Sequence, residues 1–113
     1  MSAPLPLEIS CEGLKEALTC ESPPRLIDCR EPDEWEICRL SSATLVPLSQ
    51  FAEKAPLVLG PDTARHIVVY CHHGVRSMRA TQWLRHQGYE NTQSLRGGID
   101  LWADLMDETM RKY

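Results

Sequence analysis

With 113 residues and 12.8 kDa, the chain has room for one domain and for no second folded unit of ordinary size, with a compact radius of gyration near ~13 Å. Its 42% hydrophobic and 25% charged residues argue against disorder, collagen-like repeats and membrane spanning. Twelve Lys and Arg against sixteen Asp and Glu leave a formal charge of −4, the wrong sign for a general nucleic-acid or anionic-membrane binder, so any anion site must be local.

The opening MSAPLPLEIS has neither the basic patch nor the apolar stretch of a secretory leader, which predicts a cytoplasmic protein whose residues 1–6 are loose. Five cysteines cannot all pair, and without a secretion signal they read as free thiols. Cys11, Cys20, Cys29 and Cys38 recur at intervals of nine, a spacing that no helix or strand period uses. There is no CxxC pair to grip zinc, so no metal is expected.

In chain order, Ser10 caps a helix over Cys11 to Cys20, with Leu14, Ala17 and Leu18 on one face. After Pro23-Pro24, the apolar run Arg25 to Cys29 predicts a buried strand. The acidic cluster Glu31 to Glu36 reads as a solvated helix start, and its Trp35 overhangs the later site or packs locally. Ala43 to Pro47 is a weaker strand. Ser49 leads into a short helix, FAEKA, that Pro56 closes. The turn Gly60 to Asp62 announces a second buried strand, His66 to Cys71. A helix runs from Ser77 with Ala80, Trp83, Leu84 and Gln87 on one face and Gly88 at its C-terminal cap. Thr92 to Leu95 is a further weak strand. Ile99, Trp102, Leu105, Met106 and Met110 mark a last helix. Trp83 and Trp102 fit core faces. The alternation predicts an α/β fold, a central parallel sheet with helices on both faces. Ligands bind such sheets beyond the carboxyl ends of the strands.

The loop after His66 to Cys71 is therefore the place for chemistry. Cys71, His72, His73, Gly74, Val75, Arg76 and Ser77 stand between a strand end and a helix N-terminus. Backbone N–H groups there lack intrahelical partners and can converge as an anion nest. Gly74 allows the turn, and Arg76 adds a permanent charge. Such a nest favours the thiolate of Cys71: a fall of about two pH units in its pKa corresponds to about 2.7 kcal/mol. His72 and His73 are neighbours in a turn whose side chains should diverge, so they are expected to line the pocket rim. Asp28 and Arg30 flank Cys29 either as pocket groups that support the site or as an ion pair that fixes the loop.

YCHHGVRS resembles the active-site loop of the rhodanese family of sulfurtransferases. LIDCREPDEW, Leu26 to Trp35, is similar to that family's earlier strand-and-turn motif, and LRGGIDLW, Leu95 to Trp102, to its closing Gly-Gly-plus-Trp motif. The resemblance implies a rhodanese-like three-layer fold over residues 1–113 and a Cys71 that accepts a sulfane sulfur as a persulfide. It further implies that the amides from His72 to Ser77 surround that sulfur and that Arg76 holds the anionic end of a donor such as thiosulfate. The partners implied are a small sulfur donor and acceptor or a sulfur-relay protein, with no metal or organic cofactor required; the net charge adds the expectation of no nucleic-acid or membrane partner. Phosphatases on the same fold use a loop one residue longer, wide enough for phosphate. Here four residues separate Cys71 from Arg76, which disfavours a phosphatase or arsenate reductase. A rhodanese-like binding module with weak activity is the alternative. Two departures stand out. Cys38-Arg39 and Ser41-Ser42-Ala43 replace the usual Gly-His and Gly-Ala, which puts local geometry there in question. Cys29 takes a position usually held by valine, as a small buried hydrophobe or as a resolving thiol.

Overall fold

A computed structural model of the chain describes residues 5–113. Residues 1–4 of the expected loose terminus lie outside the described residues. Leu5 and Pro6 are tied down: Arg85 Nη2 donates to both carbonyls at 2.7 and 2.9 Å.

Five strands form one parallel sheet: β1 (Glu8–Ile9), β2 (Arg25–Asp28), β3 (Thr44–Leu45), β4 (Ile67–Tyr70) and β5 (Thr92–Leu95), in the spatial order β1-β5-β4-β2-β3. The helices are α1 (Cys11–Leu18), α2 (Pro32–Ile37), α3 (Phe51–Leu59), α4 (Val75–His86) and α5 (Gly98–Leu105). The α/β expectation holds, and the central strands β2 and β4 are the two apolar runs read as buried. Alternation along them sorts the core into two layers. Ile27, Cys29, Val69 and Cys71 face Phe51 and Ala55 of α3 and Ala80 and Leu84 of α4. Leu26, Val68 and Tyr70 face Cys11 and Leu14 of α1 and Ile99 of α5. Both faces are thus covered by helices, the condition under which parallel strands become continuously apolar.

Several boundaries differ from expectation. β1 carries no periodic signal, because its two residues are held by pairing with Ser94 and Leu95 rather than by propensity. Pro56 does not close α3, which runs on to Leu59. A proline in the second turn forfeits one N–H bond, and burial of Phe51 and Ala55 against the sheet offsets that loss. A single 3₁₀ turn, Leu48–Gln50, leads into α3 in place of a Ser49 cap. α4 begins at Val75, two residues before the expected Ser77, because Gly74 serves as its N-cap at φ 104°. α5 stops at Leu105, and Met110 lies in a turn beyond it, still packed on the core. Ser10 caps α1 as expected, its hydroxyl accepting from Gly13 N at 3.0 Å. Trp83 and Trp102 pack partly buried at the edges of the two core layers.

The Ser41-Ser42-Ala43 departure has a backbone consequence. Exposed Ser42 is the one non-glycine residue at positive φ, 65°, among the described residues. A Cβ in that left-handed region costs on the order of 1 kcal/mol. Ser42→Gly is expected to raise stability by up to about 1 kcal/mol, read as a higher urea midpoint with unchanged slope.

Candidate active site

Cys71 follows β4 directly, so its position is set by the most buried strand of the sheet. The chain then turns through His72, His73 and Gly74 into α4. Three constraints shape this turn. Gly74 takes a φ that a side chain rarely adopts. The first amides of α5 reach across, Ile99 N donating to Cys71 O at 2.9 Å and Asp100 N to His72 O at 3.0 Å. Gly98 permits this approach, since a Cβ there would collide with the His72 carbonyl. The closing Gly-Gly motif is therefore part of the site's construction: it brings a helix N-terminus against the outer side of the loop.

Gly74 N and Ser77 N point inward and donate to Cys71 Sγ at 3.1 and 3.3 Å. Ser77 Oγ lies 3.4 Å from the same sulfur. Ser94 Oγ on β5 sits 2.7 Å from Ser77 Oγ, so with a thiolate the protons can run Ser94 to Ser77 to Cys71. Both serines are fully buried. The amides of His72, His73, Val75 and Arg76 have no protein acceptor among the described residues. Cys71 itself exposes only 1% of its surface, whereas Val75 at the loop crest exposes 72%. The sulfur is the floor of the loop.

The Cys29 thiol beside it, then the Ser77 hydroxyl and the Ser77 and Gly74 amides, hold the Cys71 thiol down to about 4 against the opposing effect of burial. The same contact with Cys71, reinforced by burial, pushes Cys29 up. At neutral pH one thiolate and one thiol share the buried floor.

Arg76 projects to the rim, but it is not free. Its Nη1 and Nη2 donate to Glu34 Oε1 and Oε2 at 2.6 and 2.8 Å. Arg76 holds the Glu34 carboxyl down to about 2, with help from the Tyr113 hydroxyl and a backbone amide. Glu34 is therefore a half-buried partner of the loop, not a member of a solvated acidic face. Tyr113 OH donates to Glu34 Oε2 at 2.8 Å and accepts from Arg30 Nη1 at 2.9 Å. Asp28 and Arg30 are fully buried and lie beneath this network: Arg30 Nε and Nη2 donate to the Asp28 carboxylate, and Nη2 also to Cys38 O at 2.6 Å. That pair ties α2, and with it Glu34, to the sheet.

The two histidines do not diverge. Their ring centroids are 3.9 Å apart, and the Tyr113 ring stacks on His72 at 3.9 Å and 7°. Burial, and then the neighbouring His73, push the His72 imidazole below its usual range. His72, His73 and Asp100 bring three ligand atoms within 4.8 Å of one another, close enough to share a metal ion. Lys112 Nζ already provides Asp100 with a cation at 3.4 Å. Trp35 is half-buried on α2, where the Arg39 guanidinium lies over its ring at 4.8 Å.

The site is thus a buried low-pKa cysteine at the end of a central parallel strand, enclosed by a three-residue turn, His72 to Gly74, into a helix. The rhodanese-like domain family matches residues 10–105, and the chain belongs to that family. It is 38% identical over 88 residues to a probable adenylyltransferase/sulfurtransferase MoeZ of Mycobacterium tuberculosis, covering 78% of this chain and 22% of that protein. It is 36% identical over 80 residues to a tRNA uridine(34) hydroxylase of Erwinia tasmaniensis, covering 68% of this chain and 23% of that one. The chain therefore spans less than a quarter of either relative. A rhodanese-related protein of Thermoplasma volcanium superposes with a TM-score of 0.75 at 27% identity, over 86% of this chain and 90% of its own.

Sequence reasoning missed Glu34, Ser94 and Tyr113 as site neighbours. Ser94 had one visible signal, a polar residue inside a run that becomes a fully buried strand. Glu34 lies within the Leu26 to Trp35 motif, but nothing there points to Arg76, and Tyr113 had no signal at all, since only folding brings them to Arg76 and Arg30.

The alkylation rate of Cys71 by iodoacetamide is expected to stay level from about pH 8 to 6 and to fall only as the pH approaches about 4. Ser77→Ala removes a donor to the thiolate and is expected to raise the midpoint of that fall by about 1–2 pH units. Ser94→Ala should raise it less, because it acts through Ser77.

Proposed function

We propose that the protein is a sulfurtransferase that carries a sulfane sulfur on Cys71. The observation that carries this reading is the convergence of two amides and a hydroxyl on a cysteine sulfur held as thiolate at neutral pH. The Cys71 thiolate attacks the outer sulfur of thiosulfate. The S–S bond of the donor breaks, and sulfite departs with its electron pair. An acceptor nucleophile, cyanide or a thiolate, then takes the outer sulfur, and Cys71 leaves as the thiolate from which it began. The unpartnered amides of His72, His73, Val75 and Arg76 suit the charge on the outer sulfur, which sits one bond further into the loop than Sγ. Arg76 binds the anionic end of the donor, for which it must exchange Glu34. With four residues between Cys71 and Arg76, the ring suits one sulfur atom better than a phosphoryl group, and the exchange as written requires no metal or organic cofactor. Asp28 and Arg30 support the site by holding α2 in place. Five free thiols fit a reducing compartment such as the cytoplasm. Val75, apolar and exposed at the crest of the loop, offers a sulfur-relay protein a contact beside the sulfur, so the donor or acceptor can be a protein as well as a small molecule.

Mass spectrometry after thiosulfate treatment is expected to show one added sulfur atom on Cys71, absent in Cys71→Ala; no added sulfur on the wild type would refute the reading. Arg76→Ala is expected to raise the KM for thiosulfate about 10- to 100-fold, the equivalent of about 1.5–3 kcal/mol for a charged hydrogen bond. Glu34→Gln, which releases Arg76 from its ion pair, is expected to lower that KM several-fold in a steady-state assay.

A further inference from the structure

Cys29 is the one buried thiol that shares the Cys71 face of the sheet among the described residues. Cys11 belongs to the opposite layer, Cys20 is exposed, and Cys38 lies beside Arg30 Nη1 at 3.9 Å. The register sets the proximity. Asp28 pairs with Tyr70 across β2 and β4, and Cys29 N donates to Tyr70 O at 3.0 Å, so Cys29 and Cys71 are the next residues on two adjacent parallel chains. Ile27 and Val69, two residues earlier on each, are also paired and lie in the same core layer. Both cysteine side chains therefore point to one side. Adjacent strands run about 4.8 Å apart, within the roughly 4.4–6.8 Å between Cα atoms that a disulfide spans. Both residues have left the regular strands, where small adjustments are easiest.

From this register we infer that Cys29 is a resolving thiol: it attacks the Cys71 persulfide, closes a Cys29–Cys71 disulfide and expels the carried sulfur as hydrosulfide. The inference rests on the persulfide reading above and adds to it an outlet that needs no external acceptor. In the loaded state the negative charge lies on the outer sulfur, which takes the proton of Cys29. The Cys29 thiolate then attacks Cys71 Sγ. The Cys71 S–S bond breaks and the outer sulfur leaves as HS⁻. Two cysteine sulfurs are oxidised, one sulfane sulfur is reduced to sulfide, and the proton of Cys29 departs with it. The amides of Gly74 and Ser77 approach Sγ from the loop and Cys29 from β2, so attack from the strand drives the departing sulfur toward the loop. Turnover then requires a dithiol reductant to reopen the disulfide. With a dithiol the chain is a persulfide-to-sulfide reductase; with a thiophilic acceptor present, transfer competes with release.

Two loading agents test this separately from the transferase reading. Thiosulfate loads through the proposed exchange, whereas inorganic polysulfide places sulfur on a reactive thiolate without it. After either agent is removed, and with no acceptor added, the wild-type protein is expected to lose its added sulfur from Cys71 and to release about one sulfide per persulfide lost. A Cys29–Cys71 cross-linked peptide should appear in step. Cys29→Ser and Cys29→Val, loaded to their endpoints, are expected to keep the sulfur on Cys71 and to release sulfide at least tenfold more slowly. Equal sulfide release from these variants, or a wild-type protein that holds its sulfur with Cys29 still free, overturns the inference. Loading by polysulfide but not by thiosulfate counts against the transferase reading and leaves this test intact. Failure of polysulfide to load Cys71 overturns the inference as well.

Discussion

A single negative charge on Cys71 Sγ, met by N–H groups that the backbone cannot turn elsewhere, is the constraint around which the rest of the molecule is arranged. The donors are inward because Gly74 takes a left-handed conformation, and the loop cannot relax outward because the first turn of α5 holds the carbonyls of Cys71 and His72. The orientation of these dipoles is fixed by folding and needs no rearrangement when charge appears, which is what makes such groups effective in a site poor in water. Burial alone would push the thiol the other way. Hydrogen bonding wins here because several donors act on one atom.

A second layer of charge controls access to that sulfur. Asp28 and Arg30 form a fully buried pair whose remaining donors are spent on the Cys38 and Glu34 carbonyls and on Tyr113. A buried pair with its hydrogen bonds satisfied contributes little net stability compared with an apolar replacement, but it penalises loss of either partner heavily. Here it fixes α2, which delivers Glu34 to Arg76. The positive charge at the mouth is thus partly neutralised until an anion displaces the carboxylate. The Arg76 guanidinium is reached only by exchange with that carboxylate.

Much of this was legible from residue order. The central strands, the parallel architecture and the placement of Cys71 between a strand and a helix followed from apolar runs, from Gly74 and from the alternation of elements. The motif resemblance identified the same loop. What escaped was non-local. β1 exists only through its pairing with β5, Pro56 is tolerated because α3 is held by its buried face, and Ser42 adopts a glycine-like conformation that its residue type argues against. His72 stacks on Tyr113, which is distant in sequence, while the His73 ring lies tilted at 32° on its neighbour. The pairing of Arg76 with Glu34 likewise crosses from one helix to another. Apart from β1, local patterns specify which elements form. They do not specify which charged ends meet.

The edge formed by β1 bears on how the chain reaches its native state. Glu8 meets Ser94, so the outermost rung of the sheet joins segments from opposite ends of the sequence and can close only after the intervening chain has been made and has collapsed. Contacts of such long span form slowly. Until then the open side of β5 offers unpaired backbone groups to any extended segment nearby. The arginine of α4 that grips the carbonyls of Leu5 and Pro6 acts as a latch on this last closure, and the chain is most vulnerable to self-association in the interval before it engages.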